Sequence, residues 1–147
     1  YRGNWSMTFS SQEATGEGPP NGLASSTIDG NINTFWHSRW SGGAATPPHI
    51  LTYDMKSALS VKGFVFIQRQ SLTRNIRNIR VETSADGVTW TLANGSPYAL
   101  TQTKPPQAKA LTSAVNCRYV RLTIPANADV FDGSQFAALA EFDVYRP

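Results

Sequence analysis

Apolar and polar residues alternate in short bursts along the chain, without the spacing of a helix. Residues 118–124 carry the pattern most plainly. Val120, Leu122 and Ile124 fall on one face, and Tyr119, Arg121 and Thr123 on the other, the period of two that marks a half-buried strand. In residues 76–83, Ile79 and Val81 alternate with Arg80 and Glu82. The turn formers Ser84, Asp86 and Gly87 follow and residues 88–92 return, which predicts a hairpin. Residues 61–68 are almost continuously apolar, as in a strand covered on both faces. Further runs at 5–10, 49–55 and 138–145 complete the set. No window of ten or more residues carries a clean apolar stripe of helical period. Eight or so short strands at this spacing predict an all-β chain folded as an antiparallel β-sandwich.

Two stretches do not read as strands, 16–46 and 126–136. Both are polar yet hold bulky aromatics, and long loops of that kind are where a β scaffold places function. With 147 residues, the chain is read as one domain, 1–147. Hydrophobic residues make up 40% and charged residues 16%, which excludes a charged disordered chain and a coiled coil. Only four lysines occur among the thirteen basic residues, and the net charge is +3. The arginines between 69 and 80 are interrupted by Ile76, Asn78 and Ile79, so they form no concentrated patch and argue against nucleic acid. No apolar run approaches the ~18 residues of a membrane-spanning helix. Cys117 is the only cysteine and has no internal partner. The first residue is Tyr1 and no basic-then-apolar leader is in view, so the chain is expected to be a mature product or an excised module.

Candidate chemistry begins in the segment from Ser26 to Thr34, where Asp29-Gly30 imposes a turn. Asp29 offers a carboxylate, Thr34 a hydroxyl, and the turn can aim backbone carbonyls inward, the oxygen mixture a hard cation requires. Read alone, the same segment is equally an Asp-Gly turn that binds nothing. An EF-hand is excluded, because no glutamate stands twelve positions into the loop.

The run Asp29-Gly30-Asn31-x-x-Thr34-x-Trp36-His37-Ser38-x-Trp40 resembles the signature of the discoidin, or coagulation factor V/VIII C-type, family. It is most similar to the galactose-binding branch, the bacterial family 32 carbohydrate-binding modules. Further matches follow in order: Pro48 to Asp54, Val61-x-Gly63-Phe64-x-Phe66-x-x-Arg69, Val81-Glu82-Thr83-Ser84-x-Asp86-Gly87-x-x-Trp90, Arg118-Tyr119-Val120-Arg121, and Ala140-Glu141-Phe142-x-Val144. The ordered set covers nearly the whole chain. The resemblance implies a jelly-roll, galactose-binding-domain-like sandwich with its ligand loops at one end. It also implies a structural calcium (or sodium) ion held by Ser26, Asp29, Asn31, Thr34, Ala140 and Glu141.

For a ligand, the resemblance implies terminal galactose or N-acetylgalactosamine. Trp40 and Phe136 would face the sugar ring, Phe131 being the alternative platform. His37, Arg69, Asn75 and Glu17 would bond its hydroxyls, Ser71 competing with Asn75 for one role. These residue types suit the task, since a sugar needs a flat apolar surface and a few fixed polar groups. Imidazole supplies one directed bond and guanidinium a planar fork. Each has a plainer reading: His37 bonding a loop carbonyl, Arg69 joining a solvated set with Arg74, Arg77 and Arg80, and Trp36, Trp5 and Trp90 serving the core.

No catalytic constellation stands out. A Cys117–His37 pair is countered by the strand position of Cys117, and an Asp29–Glu141 carboxylate pair is better used by the cation. The chain therefore reads as a noncatalytic, monomeric domain. It is expected to be tethered to a glycan-processing enzyme or surface protein that is secreted, periplasmic or exposed on a bacterial cell. The alternative is an adhesion module taking a protein or an anionic phospholipid on the same loops. The Ser-, Gly- and Ala-rich loop tips argue against a membrane.

Overall fold

The computed structural model describes residues 2–147. Nine strands occur among them: β1 (Ser6–Phe9), β2 (Trp36–His37), β3 (His49–Ile67), β4 (Asn78–Ser84), β5 (Thr91–Leu92), β6 (Tyr98–Ala99), β7 (Gln107–Ile124), β8 (Ala138–Leu139) and β9 (Glu141–Tyr145). Two short 3₁₀ turns, Ala24–Ile28 and Asn127–Asp129, are the only helical elements described. Every pairing between strands is antiparallel. The all-β sandwich read from the sequence is the fold of the chain.

The long strands β3 and β7 pair along most of their length and serve both layers. The first half of β3 also pairs β1, with Met7 opposite Tyr53, while its second half pairs β9, with Phe66 opposite Phe142. The register shifts between Asp54 and Leu59 and again between Val61 and Gly63. Bulges of this kind bend a strand and let it turn from one layer to the other. The layers meet through aromatic side chains: Tyr53 and Phe142 lie 4.6 Å apart, centroid to centroid. Val120, Leu122 and Ile124 are fully buried, as the alternation requires. Each such side chain contributes ~1.5–3 kcal/mol by leaving water.

Three expectations need correction. Residues 49–55 and 61–68 are one strand rather than two, since the chain crosses the bulge with Lys56 at φ 69° and continues. Within it Phe64 and Phe66 point inward while Val65 and Ile67 are only half-buried, so it is not covered on both faces. The return of the hairpin is confined to Thr91–Leu92. Asp86 accepts from the N–H groups of Val88 and Thr89 and from the Ser84 hydroxyl, which holds 84–89 as a turn and leaves Val88 exposed.

Trp36 anchors the loop end. It is completely buried, its indole N–H donates to the Ser11 carbonyl at 2.9 Å, and β2 pairs β8 with Trp36 opposite Leu139 and His37 opposite Ala138. That pairing brings the 23–40 loop onto the segment before β9. The ends of β3 and β8 and the start of β4 converge there.

Candidate functional site

His37, at the end of β2, is buried and lies beside Phe136, ring centroids 6.0 Å apart. Its Nδ1 is 2.6 Å from the Ser38 carbonyl oxygen. A carbonyl only accepts, so Nδ1 carries the proton and Nε2 keeps a lone pair. The plain reading of His37 thus holds, one nitrogen serving the loop, and the other keeps an unshared lone pair. Burial pulls the imidazole below its ordinary 6.5, with Arg69 and Arg74 acting the same way and the Ser38 carbonyl and Glu17 opposing. Histidine is thus neutral at pH 7. Affinity for a hydroxylated ligand is expected to be flat through neutral pH and to fall only in the acid range, below the ordinary imidazole value, as protonation turns Nε2 from acceptor to donor; titration calorimetry between pH 8 and 5 measures this.

Arg69 stands two residues past the end of β3. Its guanidinium lies 4.0 Å over the Phe35 ring and 3.6 Å from a Glu17 carboxylate oxygen. Its Nε is buried with no partner in the chain. Asn75 sits beneath, fully buried, donating through Nδ2 to the Arg69 carbonyl at 3.3 Å, while its Oδ1 also has no partner. Leaving a buried donor or acceptor unpaired costs about 1–3 kcal/mol. Ser71, the competing choice, is exposed at the loop tip.

The fold thus brings together His37, Phe136, Arg69, Asn75 and Glu17. Trp40 is 42% exposed and reaches the cluster through Gly16, on which its indole packs; a Cβ there would stand 2.4 Å from the Trp40 Cζ2. Phe131 instead lies under Arg77, 4.9 Å from the guanidinium carbon. Sequence reasoning missed Phe35, which stands in an aromatic run that reads as core, and it read Arg74 as a plain loop charge. Arg74 is a rim residue whose charge acts on both His37 and Arg69, held by Asp132 at 2.7 Å.

Beside this cluster the Asp-Gly loop meets the start of β9. Asp29 accepts from the Asn31 N–H at 2.8 Å, and the Thr34 hydroxyl lies on Asp29 Oδ2 and 3.0 Å from the Asn31 carbonyl. Glu141 is buried and its Oε1 has no partner. Its Oε2 takes Arg2 Nη1 at 2.5 Å, and the same nitrogen bonds the Thr27 and Phe142 carbonyls. No local pattern points to Arg2, which stands 139 positions away from Glu141. Burial, and then the nearby Asp29 carboxyl, push Glu141 up to about 7 despite Arg2. Two carboxyl groups converging on one orphaned oxygen, next to a hydroxyl and turn carbonyls, are donors that fit a hard cation. Among the described residues no cluster of three His, Cys, Asp or Glu side chains occurs, so carbonyl oxygens would complete such a site. Cys117 is buried, and burial pushes its thiol up to about 11, leaving it protonated and unreactive.

A two-layer antiparallel sandwich with its polar and aromatic cluster on the end loops is a galactose-binding-like fold. The chain belongs to the F5/8 type C (discoidin) domain family, whose model matches residues 6–142. It is similar to a galactose oxidase of Gibberella zeae, 33% identical over 150 residues that are 99% of this chain and 20% of the oxidase. The chain thus spans about a fifth of that curated relative. Among solved structures it is similar to the C-terminal domain of a chitobiase from Bacteroides fragilis, with TM-score 0.85 and 33% identity over 98% of this chain and 94% of that one. The family 32 carbohydrate-binding module of NanJ from C. perfringens, solved with galactose, shares the fold at TM-score 0.79 and 24% identity, covering 97% and 93% of the two chains.

Proposed function

We propose that the chain is a noncatalytic carbohydrate-binding module that takes terminal galactose or N-acetylgalactosamine on its end loops. The observation that carries this reading is the cluster on the end loops, His37 against Phe136 and the Arg69 guanidinium over Phe35 and beside Glu17. In this reading Arg69, the Nε2 acceptor of His37, Glu17 and Asn75 bond hydroxyls, and Trp40 and Phe136 face the sugar ring. A site built on such bonds rejects an epimer strongly, since a misplaced hydroxyl leaves buried groups unpaired. The galactose in the NanJ module supports the sugar class.

The same reading places a structural calcium on Asp29, Glu141, the Thr34 hydroxyl and the carbonyls of Ser26, Asn31, Thr34 and Ala140. When bound, the ion supplies charge that ties the first loop to β9. Tethering to a secreted or surface-attached glycan-processing protein of a bacterium is supported by the chitobiase and NanJ modules that the chain resembles. A single sugar buries few apolar atoms, so affinity for one copy is modest and multivalency strengthens it.

A glycan array probed with the domain displayed multivalently in calcium buffer tests this. Selective signal on terminal galactosides is expected. A blank array from folded protein would overturn the sugar reading and turn attention to a protein or phospholipid ligand.

A further inference from the structure

We propose that Glu13, which takes no part in the readings above, is the positioning residue of the ligand site: its buried carboxylate clamps segment 13–17 to segment 39–42 and so fixes both the Trp40 platform and Glu17. This rests on the carbohydrate reading of the loop end and goes beyond it by assigning the support of the platform.

Glu13 is 1% exposed. Its Oε1 accepts from the backbone N–H of Trp40 at 2.9 Å and of Ser41 at 2.7 Å. Its Oε2 accepts from the Gly16 N–H at 2.8 Å, the Ser41 hydroxyl at 2.5 Å, the Thr15 hydroxyl at 3.2 Å and the Thr15 N–H at 3.3 Å. Its own N–H donates to the His37 carbonyl at 2.9 Å. Among the described residues no basic side chain pairs with it. A buried carboxylate is costly unless donors replace water, and here every donor comes from the two loops it joins.

The identity of those donors is what makes the contact a positioning device. One is the backbone N–H of Trp40 itself. Another is that of Gly16, the residue on which the Trp40 indole packs. The next residue, Glu17, is the one that holds Arg69. A single carboxylate thus sets the base of the platform, the surface the platform leans on, and the residue beside the guanidinium. Neither loop has regular strand structure of its own. Ordering such loops on binding costs affinity, and a loop ordered beforehand avoids that cost.

Glu13→Gln keeps one acceptor oxygen and turns the other into an amide NH2 group that faces donors. It is expected to weaken galactose binding by about tenfold or more. A double-mutant cycle with Trp40→Ala separates positioning from general stability. Under the proposal, Glu13→Gln adds little to the loss already caused by Trp40→Ala. Fully additive losses, or unchanged affinity in Glu13→Gln, would overturn it.

A second readout needs no sugar. Acrylamide quenching of the Trp40 fluorescence, taken by difference against Trp40→Phe, should rise in Glu13→Gln; unchanged quenching would overturn the clamp. If the wild-type chain does not bind galactose, the carbohydrate reading fails by itself and quenching still decides on Glu13. Should Glu13→Gln not fold, Ser41→Ala removes one donor to Oε2. A partial loss of affinity with raised quenching is then expected, and no change in either would overturn the proposal.

Discussion

Replacing Arg69 with alanine is expected to abolish detectable galactoside binding while the thermal transition moves by only a few degrees. Hydrogen bonds to charged groups contribute about 1.5–3 kcal/mol each, so losing one weakens binding by about 10- to 150-fold. That is enough to push a modest affinity below detection. The fold loses little, because the Arg69 side chain makes one partly exposed ion pair, with Glu17, and one contact over Phe35. A single partly exposed pair contributes on the order of 1 kcal/mol. The Arg69 carbonyl, which accepts from Asn75 Nδ2 and the Leu72 N–H, survives the change. Arg69→Lys should not restore binding, since an ammonium lacks the planar fork. Calorimetry beside a thermal melt measures both effects. Retained binding in Arg69→Ala would mean that the sugar sits on another face.

Removing the proposed calcium is expected to act the other way round, on stability first. An ion present at a hundred times its dissociation constant stabilises the native state by about 2.7 kcal/mol, roughly 5–10 °C in a chain of this size. Excess chelator should lower the melting temperature by that amount and calcium should restore it. Asp29→Ala should melt low from the start and respond to neither addition. Its sugar binding should fall only indirectly, through the loop that Trp36 and His37 close. A melt that ignores chelator in the wild-type chain would remove the cation from the proposal and leave the ligand site standing.

The parts of this fold that were legible in the sequence are those where one face is buried and the other wet. Residues 118–124 alternate because Val120, Leu122 and Ile124 enter the core while their neighbours do not. The middle of β7 was invisible for the opposite reason: from Thr112 to Asn116 all five side chains are exposed, so no alternation marks them. Strand β3 read as two because a bulge containing a left-handed lysine looks locally like a turn. At the candidate site, His37, Arg69 and Phe136 could be named from an ordered motif. Glu13, Arg2 and Phe35 could not, as their partners lie across the fold. Glu13 reaches residues 27 and 28 positions away, and nothing local distinguishes it from a surface glutamate.

The most direct measurement is a galactose titration of the isotope-labelled chain in calcium, followed by backbone and side-chain NMR. The expected result is a saturable shift confined to His37, Arg69, Asn75, Phe136 and Trp40, absent with glucose, which differs only at the 4-hydroxyl. No shift in a folded sample, or shifts on the sheet faces away from these loops, would contradict carbohydrate recognition at this site.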